Sequence, residues 1–256
     1  MTETPLLSTR GLSRHFGGLT AVNKVDFDVF PGQIHAVLGP NGAGKSTLIN
    51  MLSGELPPSH GEIQFRQRPI HGLPIHRIAR LGIGRSYQKT SIFPRLSCLD
   101  NCRLAARIHQ GGVIASWRSR ALGDRVNEAA EKALETSQLT DQAYTPAHAM
   151  SYGEQRQLQI AMVLATAPIL MLLDEPMAGM GREETIRVTE LLRTLSSEYA
   201  LVLIEHDMDS VFSLAHQITV MVDGSVLETG TTEAIRKSPR VRDVYLGRHF
   251  EEEGAA

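Results

Sequence analysis

The 256-residue sequence predicts an α/β fold with a parallel-sheet core, an antiparallel β portion near the start of the chain and a helical insertion. Three observations carry this. First, "IHAVLG" (34–39), "ILMLLDE" (169–175) and "ALVLIEH" (200–206) are unbroken apolar runs. Such runs mark strands buried on both faces, as in a parallel sheet covered by helices. Second, Val25, Phe27 and Val29 alternate with Asp26 and Asp28. This period of two belongs to half-buried, antiparallel strands. Third, between Pro94 and Thr166 the small apolar residues Val126, Ala129, Ala130 and Ala133 recur at intervals of three and four, which is helical spacing.

In chain order, the alternating strands come first, and "IHAVLG" runs into a glycine-rich stretch with a helix from about Lys45. "EIQFRQRPIH" adds a short strand region closed by a proline. The insertion spans 94–166, with Gly111, Gly112 and the lone Trp117 in a less regular connector. The main α/β core is expected from 1–93 and 167–250. "QITVMVDGSVLETG" closes it with an Asp-Gly hairpin at 223 and 224, and "EEEGAA" (251–256) is an acidic, disordered tail.

Composition narrows the function. With 42% hydrophobic, 21% charged and 5% aromatic residues, and 26 Lys+Arg against 28 Asp+Glu, the chain has no basic footprint for nucleic-acid phosphates or an anionic membrane surface. Nucleic acid is therefore excluded as the main partner. Cys98 and Cys102 are too few ligands for a metal site and suit a reduced compartment. "MTETPLLSTR" has no signal-peptide pattern, and the longest apolar segment, "IAMVLATAPILMLL", is broken by Pro168 and too short to span a bilayer.

Residues 39–46 match G-x-x-x-x-G-K-[ST] between a strand and a helix. Gly39, Gly42 and Gly44 let the backbone curl so that N–H groups face inward. The loop from Gly39 through Asn41, Gly42, Ala43 and Gly44 to Thr47 then cradles phosphates at a helix N-terminus, which is positive. Lys45 reaches the β- and γ-phosphates, and Ser46 can hold Mg²⁺. These residues predict the P-loop NTPase fold with its RecA-like core, and ATP and Mg²⁺ as ligands. Asp174 ends an apolar strand where a carboxylate joins the Mg²⁺ shell, usually through water. Glu175 follows it and can accept a proton from an attacking water. His206 ends the next apolar run, placed for a γ-phosphate contact. "NKVD" (23–26) looks like a guanine-reading motif, but it precedes the phosphate loop, so guanine specificity is rejected.

"SYGE" (151–154) is a capping box, with Ser151 as the cap and Glu154 reaching back. Gly153 keeps the first turn small enough for an anion to approach its N–H groups. The order of glycine loop, Gln88 in "RSYQ", "SYGEQ", "LLDEP" and "EHD" resembles that of the ATP-binding cassette ATPases over nearly the whole chain. The resemblance implies that two chains sandwich two ATPs head to tail, with Ser151, Gly153 and Glu154 acting in trans on the nucleotide of the partner. It further implies that Phe16 stacks on adenine with Val22 beside it, that Gln88 touches metal and water and senses a membrane partner, that Glu175 is the general base, and that His206 is the switch histidine. Two departures stand out. Tyr152 and Glu154 replace the Gly and Gln of the commonest signature, and Gly181 in "MAGMGREE" stands where many members have Asp.

"LGIGRSYQ", "IEHDM" followed by "V", and "VRDVYLG" look most like ATP-binding subunits of branched-chain (hydrophobic) amino-acid importers. "SIFPRLS" after Gln88 lies where such subunits receive the coupling helix of a permease. The expectation is an ATPase subunit, peripheral at the cytoplasmic face of the inner membrane. Its partners are a second such subunit, transmembrane permease subunits and, indirectly, a solute-binding protein. Urea-type import and lipopolysaccharide export share much of the pattern. A non-transport cassette protein fits less well, since those usually join two cassettes or insert a long coiled coil.

Overall fold

The structure, a computed structural model, describes residues 4–88, 91–110 and 120–244. Gly111, Gly112, Trp117, the end of "VRDVYLG" from 245 and the tail 251–256 lie outside the described residues. The chain divides into two compact units, one of Met1–Pro74 with Ser196–Ala256, the other of Ile75–Leu195.

In the first unit, β1 (Leu7–Phe16) and β2 (Leu19–Val29) form an antiparallel hairpin, Leu7 opposite Val29 and Phe16 opposite Leu19. Val25, Phe27 and Val29 are buried, and Asp26 is exposed, as the alternation requires. β4 (His60–Phe65) and β5 (Arg68–Pro69) complete this sheet in the order β2-β1-β4-β5. Their turn places Arg66 and Gln67 at φ 50° and 61°, two successive left-handed residues that match the right-handed strand twist. β3 (Ile34–Leu38), buried at every position, pairs in parallel with β8 (Ala200–Ile204) and β9 (Gln217–Val222). β9 turns through Asp223 and Gly224, at φ 47° and 77°, into antiparallel β10 (Ser225–Thr231). This is the Asp-Gly hairpin read from the sequence.

The 3% exposed His35 on β3 ties these layers together. Its Nδ1 lies 2.9 Å from the Asp28 carbonyl, so Nδ1 carries the proton and donates it. Nε2, 2.8 Å from Thr219 Oγ1, then accepts from that hydroxyl, and Thr219 in turn sits 2.9 Å from Thr229 Oγ1. Burial pushes the imidazole pKa down to about 4, so the ring is neutral at physiological pH.

In the second unit, β6 (Ile83–Arg85) pairs in parallel with the fully buried β7 (Leu170–Asp174). Among the described residues its α-helices are α2 (Ile75–Arg80), α3 (Cys98–Gln110), α4 (Arg120–Thr136), α5 (Tyr152–Leu164) and α6 (Arg182–Leu195). On α4, Val126, Ala130 and Ala133 are buried and Ala129 half-buried, confirming the helical spacing. Cys98 and Cys102 share the buried face of α3, where desolvation raises their thiol pKa values to about 11 and about 12. Both are protonated, inert packing groups.

Candidate nucleotide site

The phosphate loop belongs to the first unit. It leaves β3 at Gly39 and ends in α1 (Lys45–Leu52), whose N-cap is Gly44, so no side chain caps the helix start. Gly39, Gly42 and Gly44 all have positive φ (154°, 81° and 95°). Two of these glycines also make room. A Cβ on Gly39 would lie 2.2 Å from the Met221 carbonyl oxygen, and one on Gly44 2.3 Å from that of Ala21. The tip of the β9–β10 hairpin closes on the same loop, with Gly224 N–H donating to Ala43 O at 3.2 Å and Asn23 N–H to Gly224 O at 2.8 Å. The Lys45 ammonium turns inward and donates to the carbonyls of Gly39 (2.6 Å) and Pro40 (3.0 Å). Asn41 and Ser46 are exposed, and Thr47 is half-buried. Curled backbone, uncapped helix start and an inward cation together fit a polyphosphate.

Phe16, at the end of β1, is 44% exposed, with the Arg14 guanidinium 4.7 Å from its ring centre. Val22 is different. It is fully buried, and its Cγ2 lies 3.4 Å from where a Gly44 Cβ would stand. Its side chain packs beneath the loop. After β8, Glu205 is buried and His206 60% exposed, its Nδ1 3.9 Å from Glu205 Oε2. Asp207 then caps α7 (Met208–Leu214) by accepting from Ser210 N–H.

The second unit holds the acidic residues. Asp174 ends β7, 6% exposed, and its Oδ2 is 3.5 Å from Arg85 Nη2. Glu175 takes φ 48°, a left-handed conformation that a non-glycine residue adopts only when its surroundings impose it. Its Oε2 accepts from Gln88 Nε2 at 2.8 Å. The sequence placed Gln88 by resemblance alone; here it meets Glu175 directly.

The start of α5 is held by several side-chain hydrogen bonds. Ser151 Oγ accepts from Glu154 N–H (3.3 Å) and Glu154 Oε2 from Ser151 N–H (2.7 Å), the complete capping box. The Gln142 amide, then the Ser151 N–H, hold the Glu154 carboxyl below its ordinary pKa. Arg156, 4% exposed, donates from Nε (3.1 Å) and Nη2 (2.8 Å) to the Tyr152 hydroxyl and from Nη1 to the Tyr87 carbonyl (3.2 Å). Tyr87 precedes Gln88, and its ring lies 4.8 Å from the Arg85 guanidinium. Tyr152, a departure from the commonest signature, is therefore an anchor for Arg156. Sequence reading missed Arg85, Arg156 and Glu184. Nothing periodic marks a polar residue whose partner lies far along the chain.

The phosphate loop, the Gln88–Glu175 pair and the capped glycine helix start at Ser151 are each, by themselves, features of a cassette ATPase. The family described as ABC transporter matches residues 22–178, and the chain belongs to it. It is a nucleotide-binding, ATP-hydrolysing cassette.

Among its relatives, the high-affinity branched-chain amino acid transport ATP-binding protein LivG of Escherichia coli K12 is 37% identical over 252 residues, spanning 95% of this chain and 98% of LivG. The corresponding protein BraF of Pseudomonas aeruginosa is 39% identical over 250 residues, again spanning 95% and 98%. The crystal structure of an ATP-binding cassette of an ABC transporter in its ADP conformation superposes with a TM-score of 0.84 at 25% identity, covering 95% of this chain and 99% of that one.

Proposed function

We propose that the chain is the ATP-binding subunit that energises an importer of branched-chain or other hydrophobic amino acids. The observation that carries this reading is similarity to LivG and BraF along nearly the full length of both chains. In this reading it works as a dimer on the cytoplasmic face of the inner membrane, bound to permease subunits and served by a solute-binding protein. Among the described residues no helix is long and apolar enough to cross a membrane, which suits a subunit held there by others.

The residues take these roles. Phe16 stacks on the base. The loop N–H groups from Gly39 to Thr47 and Lys45, released from its two carbonyls, hold the phosphates. Ser46 and Gln88, with Asp174 acting through water, would offer oxygen donors to Mg²⁺, and the ion would neutralise phosphate charge. Glu175 accepts the proton of the water whose oxygen attacks the γ-phosphorus, while the bond to the ADP oxygen breaks. Gln88 occupies one oxygen of Glu175 and leaves the other for that water. His206, exposed beside buried Glu205, contacts the γ-phosphate. Ser151 and Gly153 serve the partner's nucleotide from the positive start of α5, and Glu154 braces them.

A surface for the permease is also available. Buried Asn101 accepts from Phe93 N–H (2.8 Å) and donates to the carbonyls of Phe93 (3.1 Å) and Ser97 (2.9 Å). That brace leaves Phe93 and Leu96 exposed in "SIFPRLS". The test is co-purification with the permease, followed by ATPase assay in liposomes with the binding protein. Leucine, isoleucine or valine should stimulate hydrolysis several-fold. Stimulation by urea or a sugar alone would overturn the substrate assignment.

A further inference from the structure

The anion seat at the start of α5 is already filled by the chain's own carboxylate. Ser151 Oγ donates to Glu184 Oε1 at 3.3 Å, and Gly153 N–H donates to the same oxygen at 3.2 Å. The other oxygen, Oε2, accepts from Gly181 N–H at 3.2 Å. Gly181 immediately precedes α6, so one carboxylate bridges the N-terminal ends of two helices, α5 and α6. Each end carries partial positive charge, and a carboxylate there is stabilised twice. Glycine at 153 makes the arrangement possible, because a Cβ would lie 2.5 Å from both Glu184 Cδ and Oε1.

Helix capping alone accounts for only half of this. A glutamate three residues into a helix reaches back to the N-cap N–H, as Oε2 does to Gly181. Oε1 has no part in capping α6. It lies on the two groups, Ser151 hydroxyl and Gly153 amide, that the proposed function assigns to the partner's γ-phosphate.

We infer that Glu184 is the residue that sets the γ-phosphate dependence of dimer closure, by holding the trans seat until a more highly charged group displaces it. The inference rests on the trans reading of Ser151 and Gly153. A γ-phosphate carries more negative charge than a carboxylate and replaces it on both donors. A nucleotide that lacks this group leaves Glu184 in place, and its charge then repels the incoming phosphates. Removing the charge lowers the barrier to closure in both ways.

The test measures nucleotide-dependent dimerisation by analytical ultracentrifugation, with slow-hydrolysing Glu175→Gln as background. Adding Glu184→Gln, which keeps side-chain size and removes the charge, should tighten the ATP-bound dimer about tenfold, the lower end of the scale of one charge-assisted hydrogen bond. It should also narrow the gap between ATP and ADP. Glu184→Ala should do the same with a lower melting temperature from the lost cap, so the two variants separate folding from competition. A dimer unchanged or weakened by Glu184→Gln, with melting preserved, overturns the inference and leaves Glu184 as a brace. Ser151→Arg in the same background tests the reading beneath it. If that change leaves ATP-dependent dimers intact, the trans assignment itself fails; if it abolishes them, a null result at Glu184 counts against Glu184 alone.

Discussion

The two glycine-bearing helix starts, at 44–47 and at 151–154, answer the same electrostatic problem in opposite ways. Both present backbone N–H groups at a positive helix end. At α1 no side chain caps the helix, and Lys45 waits on two backbone carbonyls of its own loop. At α5 every advantage is already used. Ser151 and Glu154 cap one another, and Glu184 lies on Ser151 and Gly153. The first start is ready for an anion, whereas the second must be emptied before it receives one. On the proposed trans reading, such a cassette would bind nucleotide as a single chain and close on a second chain only when the charge of the incoming nucleotide is high enough.

The largest expected effect breaks the chemistry and leaves both starts alone. Glu175→Gln should lower ATP turnover about a hundredfold to ten-thousandfold, the usual contribution of a general base, with nucleotide affinity retained. Steady-state hydrolysis beside equilibrium binding checks it, and wild-type turnover would remove Glu175 from the role.

Next is the cation of the ready start. Lys45→Ala should weaken ATP binding about tenfold to a hundredfold by calorimetry, since charged hydrogen bonds are each worth roughly 1.5–3 kcal/mol. Unchanged affinity would mean that the loop is not where phosphate binds.

Gly44→Ala sharpens the comparison from the side of folding. At φ 95°, with its Cβ 2.3 Å from a backbone oxygen, the variant should lose about 2–4 kcal/mol of stability. Denaturant titration reads this directly. A loss below about 0.5 kcal/mol, the scale of an ordinary surface substitution, would show that the loop can open without strain.

The smallest effect concerns His35, beneath the first start. Its folded-state pKa of about 4 lies below the ordinary 6.5, so the unfolded chain binds a proton that the folded chain refuses. The contribution is complete above pH 6.5 and is lost as pH falls towards 4, amounting to at most about 3 kcal/mol. His35→Gln should flatten that part of the stability curve. An identical slope in variant and parent would assign acid lability elsewhere.

Much of this was legible along the chain, and the reasons differ by residue. "IHAVLG" and "ALVLIEH" became buried parallel strands because burial on both faces leaves an unbroken apolar run. Asp223-Gly224 became the β9–β10 turn because two left-handed residues suit it, and the capping box formed because its chemistry spans only three residues. Contacts between distant segments were not legible. Glu184 reads as one more acidic residue at the start of a helix, and Arg156 as one of several arginines. Only folding brings them to Ser151 and to Tyr87. The burial of Val22 beneath the loop was likewise not legible, since it depends on which face of the strand pleat meets the core.

The central claim, that a nucleotide on one chain is completed by the α5 start of another, is tested most directly by mixing two disabled chains. Lys45→Ala and Ser151→Arg should each be nearly inactive alone. Random pairing makes half the dimers mixed, each with one intact composite site, so an equal mixture should regain about a quarter of wild-type ATPase activity. A mixture no faster than its separate components would contradict the account.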